Sequence, residues 1–365
     1  MQEVYGREFS LEFAILVKIC YNTFVCFRCV FYQSETKGFF KMKKFRKAAA
    51  AFFGMTFVLS AALCGCAGGG ESSKQSSAVQ QSDNTNDEAY KAAQEGGIKA
   101  AGADPDKLGI KPEIAHDAQN AAGYQLEKPK DGDTIAVVQT SMGSFSMRLF
   151  ENAAPKTAAN FKKLAEDGKY DGTIFHRVVK DFVVQGGHIG TDENQPNGES
   201  ADGKPLADEF NDKLYNLRGA VSMANNGKDT NGSQFFVNQQ SADVFQHNGG
   251  WSFYDGVWKE CLGQIKQYKD NDEMLTAYID ENGDRMINTD LVPKDVKALY
   301  VQHGGNPNLD GAFNAADRGN TVFAQVYDGM DVIDKIAAVA VDDKNVPKQN
   351  VVIKSIKIGT YKIND

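Results

Sequence analysis

From Asp133 to its C-terminus the chain is written mostly in short apolar runs of strand length, and nothing else narrows the possible folds as much. TIAVVQT (134–140) and FSMRLF (145–150) are joined by Ser141-Met142-Gly143-Ser144, a hairpin signal. TIFHRVV (173–179) and FVVQGG (182–187) flank a Lys180-Asp181 turn, and further runs cover Gly219–Ala224, Ser233–Val237, Thr321–Val326 and Val351–Ile358. Two helices are predicted among them. Pro155 opens the first, which buries Ala158, Phe161, Leu164 and Ala165 on one face and closes at Asp167-Gly168; the second covers Met330–Ala338. Many short strands with two helices predict a mainly β fold, an all-β barrel with helical plugs. Side chains alternate along a strand, so Arg177 shares a face with Phe175 and Val179. A permanent cation on an apolar surface costs free energy unless something requires it.

Residues 239–307 interrupt this pattern. They hold both tryptophans, Trp251 and Trp258, and helical stretches around Leu262–Tyr268 and Pro293–Val301. Thr289 or Asp290 is placed to cap the latter, with Pro293 in its first turn and Gly304 beyond its end. Nearly seventy residues of different character between two strands predict an inserted, partly helical subdomain. Trp251, Phe253, Tyr254 and Trp258 either pack this insert onto its own domain or form a contact surface. The stretch DENGDRMINTDL (280–291) spaces Asp280, Asn282 and Asp284 like a calcium loop, but Arg285 stands at the glycine of the sharp turn and Leu291 at the bidentate glutamate, so an ordinary loop is expected. His116, His176, His188, His247 and His303 show no metal-ligand spacing, and no metal site is predicted. His176 reads as a buried, hydrogen-bonding residue.

The N-terminal part is organised differently. MKKFRKAAAAFFGMTFVLSAALCGC (42–66) has a basic start and then an apolar run of signal-peptide length. Leu63-Cys64-Gly65-Cys66 resembles a bacterial lipobox, which makes residues 42–65 a lipoprotein signal and Cys66 the lipidated residue; an ordinary signal peptide or uncleaved anchor is the alternative. Residues 1–41 then read as an extension ahead of the true start at Met42, with a second hydrophobic anchor as the other reading. Cys26 and Cys29 have no second pair to complete a zinc site. Residues 66–130 begin as a polar tether, AGGGESSKQSSAVQQSDNTNDE, and continue Ala-, Gly- and Lys-rich with scattered apolar residues such as Ile98, Leu108, Ile110 and Ile114, which leaves open a short helix or docking on the body. Of six cysteines only Cys66 and Cys261 follow the signal, so the fold must be held by its core rather than by a disulfide. Nine of the 40 basic and four of the 48 acidic residues precede Cys66, which leaves a net charge of −13 from there on. That charge argues against nucleic acid and suits a body held off an anionic membrane.

Three blocks, FHRVVKDFVVQGG (175–187), SMANNGKDTNGSQFFV (222–237) and NLDGAF with NTVFAQVYDGMDVI (308–313 and 320–333), resemble the signature blocks of the cyclophilins, in the family's order. The resemblance spans about 134–358 apart from the insert. It implies residues 131–365 as a peptidyl-prolyl cis/trans isomerase domain: a closed eight-stranded antiparallel barrel capped by two helices, plus the insert. It implies Arg177, Gln185 and Phe182 as catalytic residues, with Gln185 and Gln234 orienting Arg177 and holding the substrate carbonyl. Phe182, Val183, Phe236 and Leu309 would wall a pocket for the proline ring, and the backbone of Ala224, Asn225 and Asn226 would pair with the extended peptide. Phe235 is assigned to the core by alternation. Where many eukaryotic members have tryptophan, Asn308 precedes Leu309, which implies weakened binding of cyclosporin; Val183 replaces a common methionine, and the histidine that closes the wall falls on Phe313 or Asn320. No cofactor, metal or covalent step is implied. The expectation is a monomeric isomerase of exported, proline-containing chains, lipid-anchored outside the cytoplasmic membrane. A non-catalytic proline-peptide-binding chaperone or adaptor using the same groove is the alternative.

Overall fold

Alternation along the first hairpin decides which side of the sheet faces inward. In β1 (Thr134–Thr140) and β2 (Gly143–Leu149), Ala136 and Val138 face the same interior as Phe145, Met147 and Leu149. The two-residue connection pairs Thr140 with Gly143, and the Thr140 hydroxyl donates to the Gly143 carbonyl at 2.7 Å. The computed structural model describes residues 97–363 apart from 109, 111–112 and 191–195, all within the compact unit Val79–Asp365. The extension, the signal, Cys66 and the first part of the tether lie outside the described residues.

Six more strands complete the sheet: β3 (Arg177–Val179), β4 (Val183–Gly186), β5 (Ala220–Met223), β6 (Phe235–Asn238), β7 (Val322–Asp328) and β8 (Ile353–Thr360). Their order is β8-β1-β2-β7-β5-β6-β4-β3, antiparallel throughout. The residues leading into β3 and β8 join the ends: Phe175 N–H donates to the Val351 carbonyl at 2.9 Å and Ile353 N–H to the Thr173 carbonyl at 2.8 Å. These bonds close the curled sheet as the sequence predicts. One predicted helix is α1 (Pro155–Glu166), with proline in its first turn and Phe161, Leu164 and Ala165 in the core. The other, α6 (Met330–Ala337), plugs the barrel with Val332, Ile333 and Ile336.

Four helices fill the insert: α2 (Ala242–His247), α3 (Gly250–Tyr268), α4 (Asp272–Asn282) and α5 (Lys294–His303). The helical stretch expected from Leu262 in fact starts twelve residues earlier, at Gly250, because packing of Trp258, Cys261 and Ile265 outweighs the glycines at 256 and 263. Pro293 itself occupies the N-cap of α5, in place of Thr289 or Asp290. Asp280 and Asn282 lie in the last turn of α4, and Asp280 pairs with Arg318 at 3.5 Å. Among the described residues no group of three or more His, Cys, Asp and Glu side chains is placed to hold a metal ion. No helix of the described residues is long and apolar enough to cross a membrane.

The later part of the presumptive tether is packed against the body. Ile98, Ala101, Ala103 and Ile110 share a core with Trp258, Cys261, Ile265, Leu275 and Ile279 of the insert. Ile114–Ala115 pairs in parallel with Phe210–Asn211, and His116 contacts Asp212 at 2.7 Å. The buried Gln125 donates to the Tyr215 carbonyl at 2.9 Å and accepts from the Tyr215 N–H at 2.8 Å. The scattered apolar residues of this segment thus serve as anchors, and its polar composition reflects its outer face.

Two features of this architecture yield measurable consequences. Gly187 has φ +75°, and a Cβ there would lie 2.7 Å from the Phe235 ring and 3.0 Å from the Tyr170 ring. Both rings are fully buried. Gly187→Ala should destabilise the fold by more than about 2 kcal/mol, read from the denaturant midpoint, through left-handed strain and overpacking together. The second is Asp310, only 2% exposed, which joins barrel to insert by accepting from the Asn216 N–H at 2.6 Å, the Asn216 amide at 3.1 Å and the Tyr300 hydroxyl at 2.5 Å. Burial pushes its carboxyl up to about 7, although these three donors pull the other way. The folded state therefore holds the proton more tightly than the unfolded chain, and this residue's stability contribution is lost as pH rises from about 4 to about 7. Urea midpoints across that window should fall more steeply for the parent than for Asp310→Asn, by an amount on the order of 4 kcal/mol; parallel curves would refute the assignment.

Candidate active site

The β3–β4 hairpin turns at Lys180-Asp181, with Asp181 at φ +62°, and pairs Arg177 directly with Gln185. Across the next ladder Gln185 pairs with Phe236 of β6. These two registers bring one cation, two amides and several apolar side chains to one surface. Arg177 donates from Nη1 to Gln185 Oε1 at 3.0 Å, and Gln185 Nε2 donates to Gln234 Oε1 at 2.9 Å. Gln234 Nε2 donates to the Pro196 carbonyl at 2.8 Å and lies 2.7 Å from His188 Nδ1. The Pro196 carbonyl can only accept, so it fixes which end of the Gln234 amide faces it, and thereby the sense of the whole line. The acceptors along this line are the neutral amide oxygens of Gln185 and Gln234 and the Pro196 carbonyl, and the bond to Gln185 orients the guanidinium.

Beside this line lies a small apolar cluster. Val183, Ala224 and Phe236 are buried, and Phe182 and Leu309 pack on them partly buried. The Arg177 guanidinium carbon stands 5.9 Å from the centre of the Phe182 ring, within reach of a cation–π contact. Phe235, one residue from Phe236, points the other way into the barrel core as alternation requires. The Arg177–Gln185–Gln234 line forms the polar edge of this cluster, joined to it by the pairing of Gln185 with Phe236 and by the Arg177–Phe182 contact.

The segment 224–226 is held at that edge from both sides. Ala224 N–H donates to the Gln234 carbonyl at 2.9 Å, and Asn226 N–H to the Thr230 hydroxyl at 2.9 Å. The Asn225 amide donates to the Gly319 carbonyl at 2.7 Å and lies 3.3 Å from Asp208 Oδ1. Burial raises the pKa of Asp208, against the Asp229 N–H and the Asn231 and Asn225 amides that stabilise its charge. This side-chain anchoring leaves the shape of the 224–226 main chain as what the edge presents.

Phe313 does not join the site. It is 1% exposed and stacks on Tyr215, with ring centres 5.9 Å apart, in the core shared by Phe245, Ile287, Val296 and Tyr300. The cause is local: the short turn Gly311–Phe313 is followed by a bridge between Asn314 and Ile287, which draws the chain into the insert. Asn320 takes the adjacent place, donating its N–H to the Leu309 carbonyl at 2.9 Å and its amide to the Met223 carbonyl at 2.9 Å. Burial, and next the nearby His188 with ring centres 6.3 Å apart, lower the pKa of His176. Three residues at the site escaped the sequence reading: His188 beside Gln234, and Tyr254 and Tyr300 of the insert, which hold the residues on either side of Leu309. Only His188, next to the Gly-Gly pair, offered a positional hint.

Comparison with known proteins agrees with this arrangement. The family model described as cyclophilin type peptidyl-prolyl cis-trans isomerase/CLD matches residues 135–274 and 297–358, breaking within the insert. A putative peptidyl-prolyl cis-trans isomerase of Staphylococcus aureus is 34% identical over 235 residues, covering 64% of this chain and 96% of its own. A putative bifunctional phosphatase/peptidyl-prolyl cis-trans isomerase of Streptococcus pyogenes is 36% identical over 241 residues; the match covers 64% of this chain but 40% of that longer protein. Among solved structures, a Cryptosporidium parvum cyclophilin type peptidyl-prolyl cis-trans isomerase aligns over 63% of this chain and 99% of its own, with 22% identity and a TM-score of 0.40. With more than half of its length matched by the family model, and with Arg177, both glutamines and the apolar cluster on one surface, the chain belongs to the cyclophilin-type peptidyl-prolyl cis-trans isomerases.

Proposed function

We propose that this chain isomerises X–Pro bonds in exported proteins and does so outside the cytoplasmic membrane, tethered by a lipid on Cys66. The observation that carries the isomerase reading is the Arg177–Gln185–Gln234 line alongside the Phe182, Val183, Ala224, Phe236 and Leu309 cluster. A proline ring is apolar and rigid and can pack on such a cluster. Its peptide bond resists rotation by about 18–20 kcal/mol because twisting abolishes amide resonance. In the twisted state the proline nitrogen is pyramidal and accepts a hydrogen bond, which it cannot do when planar. A guanidinium held at that spot therefore binds the transition state better than either ground state, and this difference is what lowers the barrier. No proton has to be transferred and no covalent bond is made. The main chain at Ala224–Asn226 supplies hydrogen bonding to an extended peptide irrespective of its side chains.

The location rests on sequence: the basic and apolar run 42–63, Leu63-Cys64-Gly65-Cys66 and the polar stretch after it. Incorporation of labelled fatty acid by the parent, abolished in Cys66→Ser, is the expected result. A non-catalytic binder of proline peptides would use the same cluster, but it would have no use for a guanidinium held in place by Gln185.

Cis-to-trans relaxation of a proline tetrapeptide separates the two. The full chain should accelerate it, and Arg177→Ala should lower kcat/KM by about 100-fold or more, with most of the loss in kcat. Arg177→Lys should recover little, because an ammonium cannot hold both Gln185 and the nitrogen in one plane. Equal rates for the parent and Arg177→Ala would establish the binder instead.

A further inference from the structure

Leu309, on the wall of the apolar cluster, sits in the short turn Pro307–Leu309, and the insert holds the residues on both sides of it. Tyr254 of α3 reaches Asn308 Oδ1 with its hydroxyl at 3.4 Å, and Tyr300 of α5 donates to Asp310 at 2.5 Å. The insert thus meets the rim of the proline pocket directly. Tyr254 is itself embedded among aromatic rings: Phe245 stacks on it with centres 6.1 Å apart, Trp251 lies at 5.9 Å and Phe253 meets it edge-on at 5.2 Å. Phe245 and Tyr300 in this group are buried, whereas Phe253 is 50% exposed. Among the described residues it is the one phenylalanine or tryptophan more than a third exposed. Leaving that much of a phenyl ring in water forgoes on the order of 1 kcal/mol of burial.

We infer that Phe253 and Tyr254 form an aromatic rim continuous with the proline pocket, which takes an apolar side chain flanking the proline of the substrate. This deepens the isomerase reading and rests on it. Because the 224–226 edge recognises main chain, selectivity among X–Pro sequences has to come from a surface next to the pocket. A competing surface exists: a groove of about 440 Å³ lined by Asp181, Asp243, Val244, His247 and Asn248, whose carboxylates would favour a basic flanking residue. The ring cluster is preferred because it connects to Leu309 through Asn308.

Peptides of the form Ala-Ala-Pro-Ala, with phenylalanine, leucine or lysine placed in turn before and after proline, test this with the full chain. In one of the two positions, phenylalanine and leucine should raise kcat/KM over alanine by roughly 5- to 20-fold. Phe253→Ala should bring that ratio close to one, while Met274→Ala, an exposed apolar change elsewhere on α4, should leave it as in the parent. A ratio unchanged by Phe253→Ala, or a preference for lysine, overturns the rim. Turnover of none of the peptides would sink the isomerase reading as well, so the two failures are distinct.

Discussion

A guanidinium beside a phenyl ring needs a partner that fixes its direction. The hydrogen bond from Arg177 to Gln185 does so, and the strand register keeps it in place. A carboxylate at 185 would hold arginine more strongly, but it would draw the charge into an ion pair and lower the field at the proline nitrogen. Glutamine oxygens accept and glutamine nitrogens donate, so the line needs a terminus that only accepts; the Pro196 carbonyl is that terminus. The pairing also depends on register. A slip of one residue in β3 would turn Arg177 into the barrel and Val178 out onto the site. Large residues packed from both faces of the hairpin make such a slip costly: Val178 and Val184 in the core, Val183 and Phe182 in the pocket.

The strands were legible because each is short, apolar and bounded by turn residues, and because one face of every strand must be buried. The predicted Gly219–Ala224 and the observed Ala220–Met223 differ by a residue at each end, as hydrogen-bond ladders end sooner than apolar runs do. Arg177, Gln185 and Gln234 could be located for a related reason: a polar residue in an apolar strand is conspicuous. Phe313 was placed by resemblance alone, as one of two positions for the family's wall histidine, and the Asn314–Ile287 bridge shows that the chain has already turned into the insert. The start of α3 was hidden by Gly256, a residue that reads as a breaker on its own but lies on a helix stabilised by distant contacts. The docking of Ile98 and Ile110 was open for a similar reason, since isolated apolar residues acquire meaning only when a partner surface exists.

Asp310 shows why the insert is not an appendage. A carboxyl buried to this degree is tolerated only where donors surround it, and here the barrel supplies Asn216 while the insert supplies Tyr300. Removing the insert would leave the acceptor short of a donor and leave Tyr215, Leu217 and Phe313 without their packing partners Phe245, Ile287 and Tyr300. The turn carrying Leu309 would then lose its support on the side of the pocket. The apolar cluster proposed above to seat the proline ring can therefore be altered, on its Leu309 side, by changes in the insert alone. The register that pairs Arg177 with Gln185, and Gln185 with Phe236, belongs to the barrel strands. Chemistry and recognition are thus supported by different parts of the molecule: one by strand register, the other by helix packing.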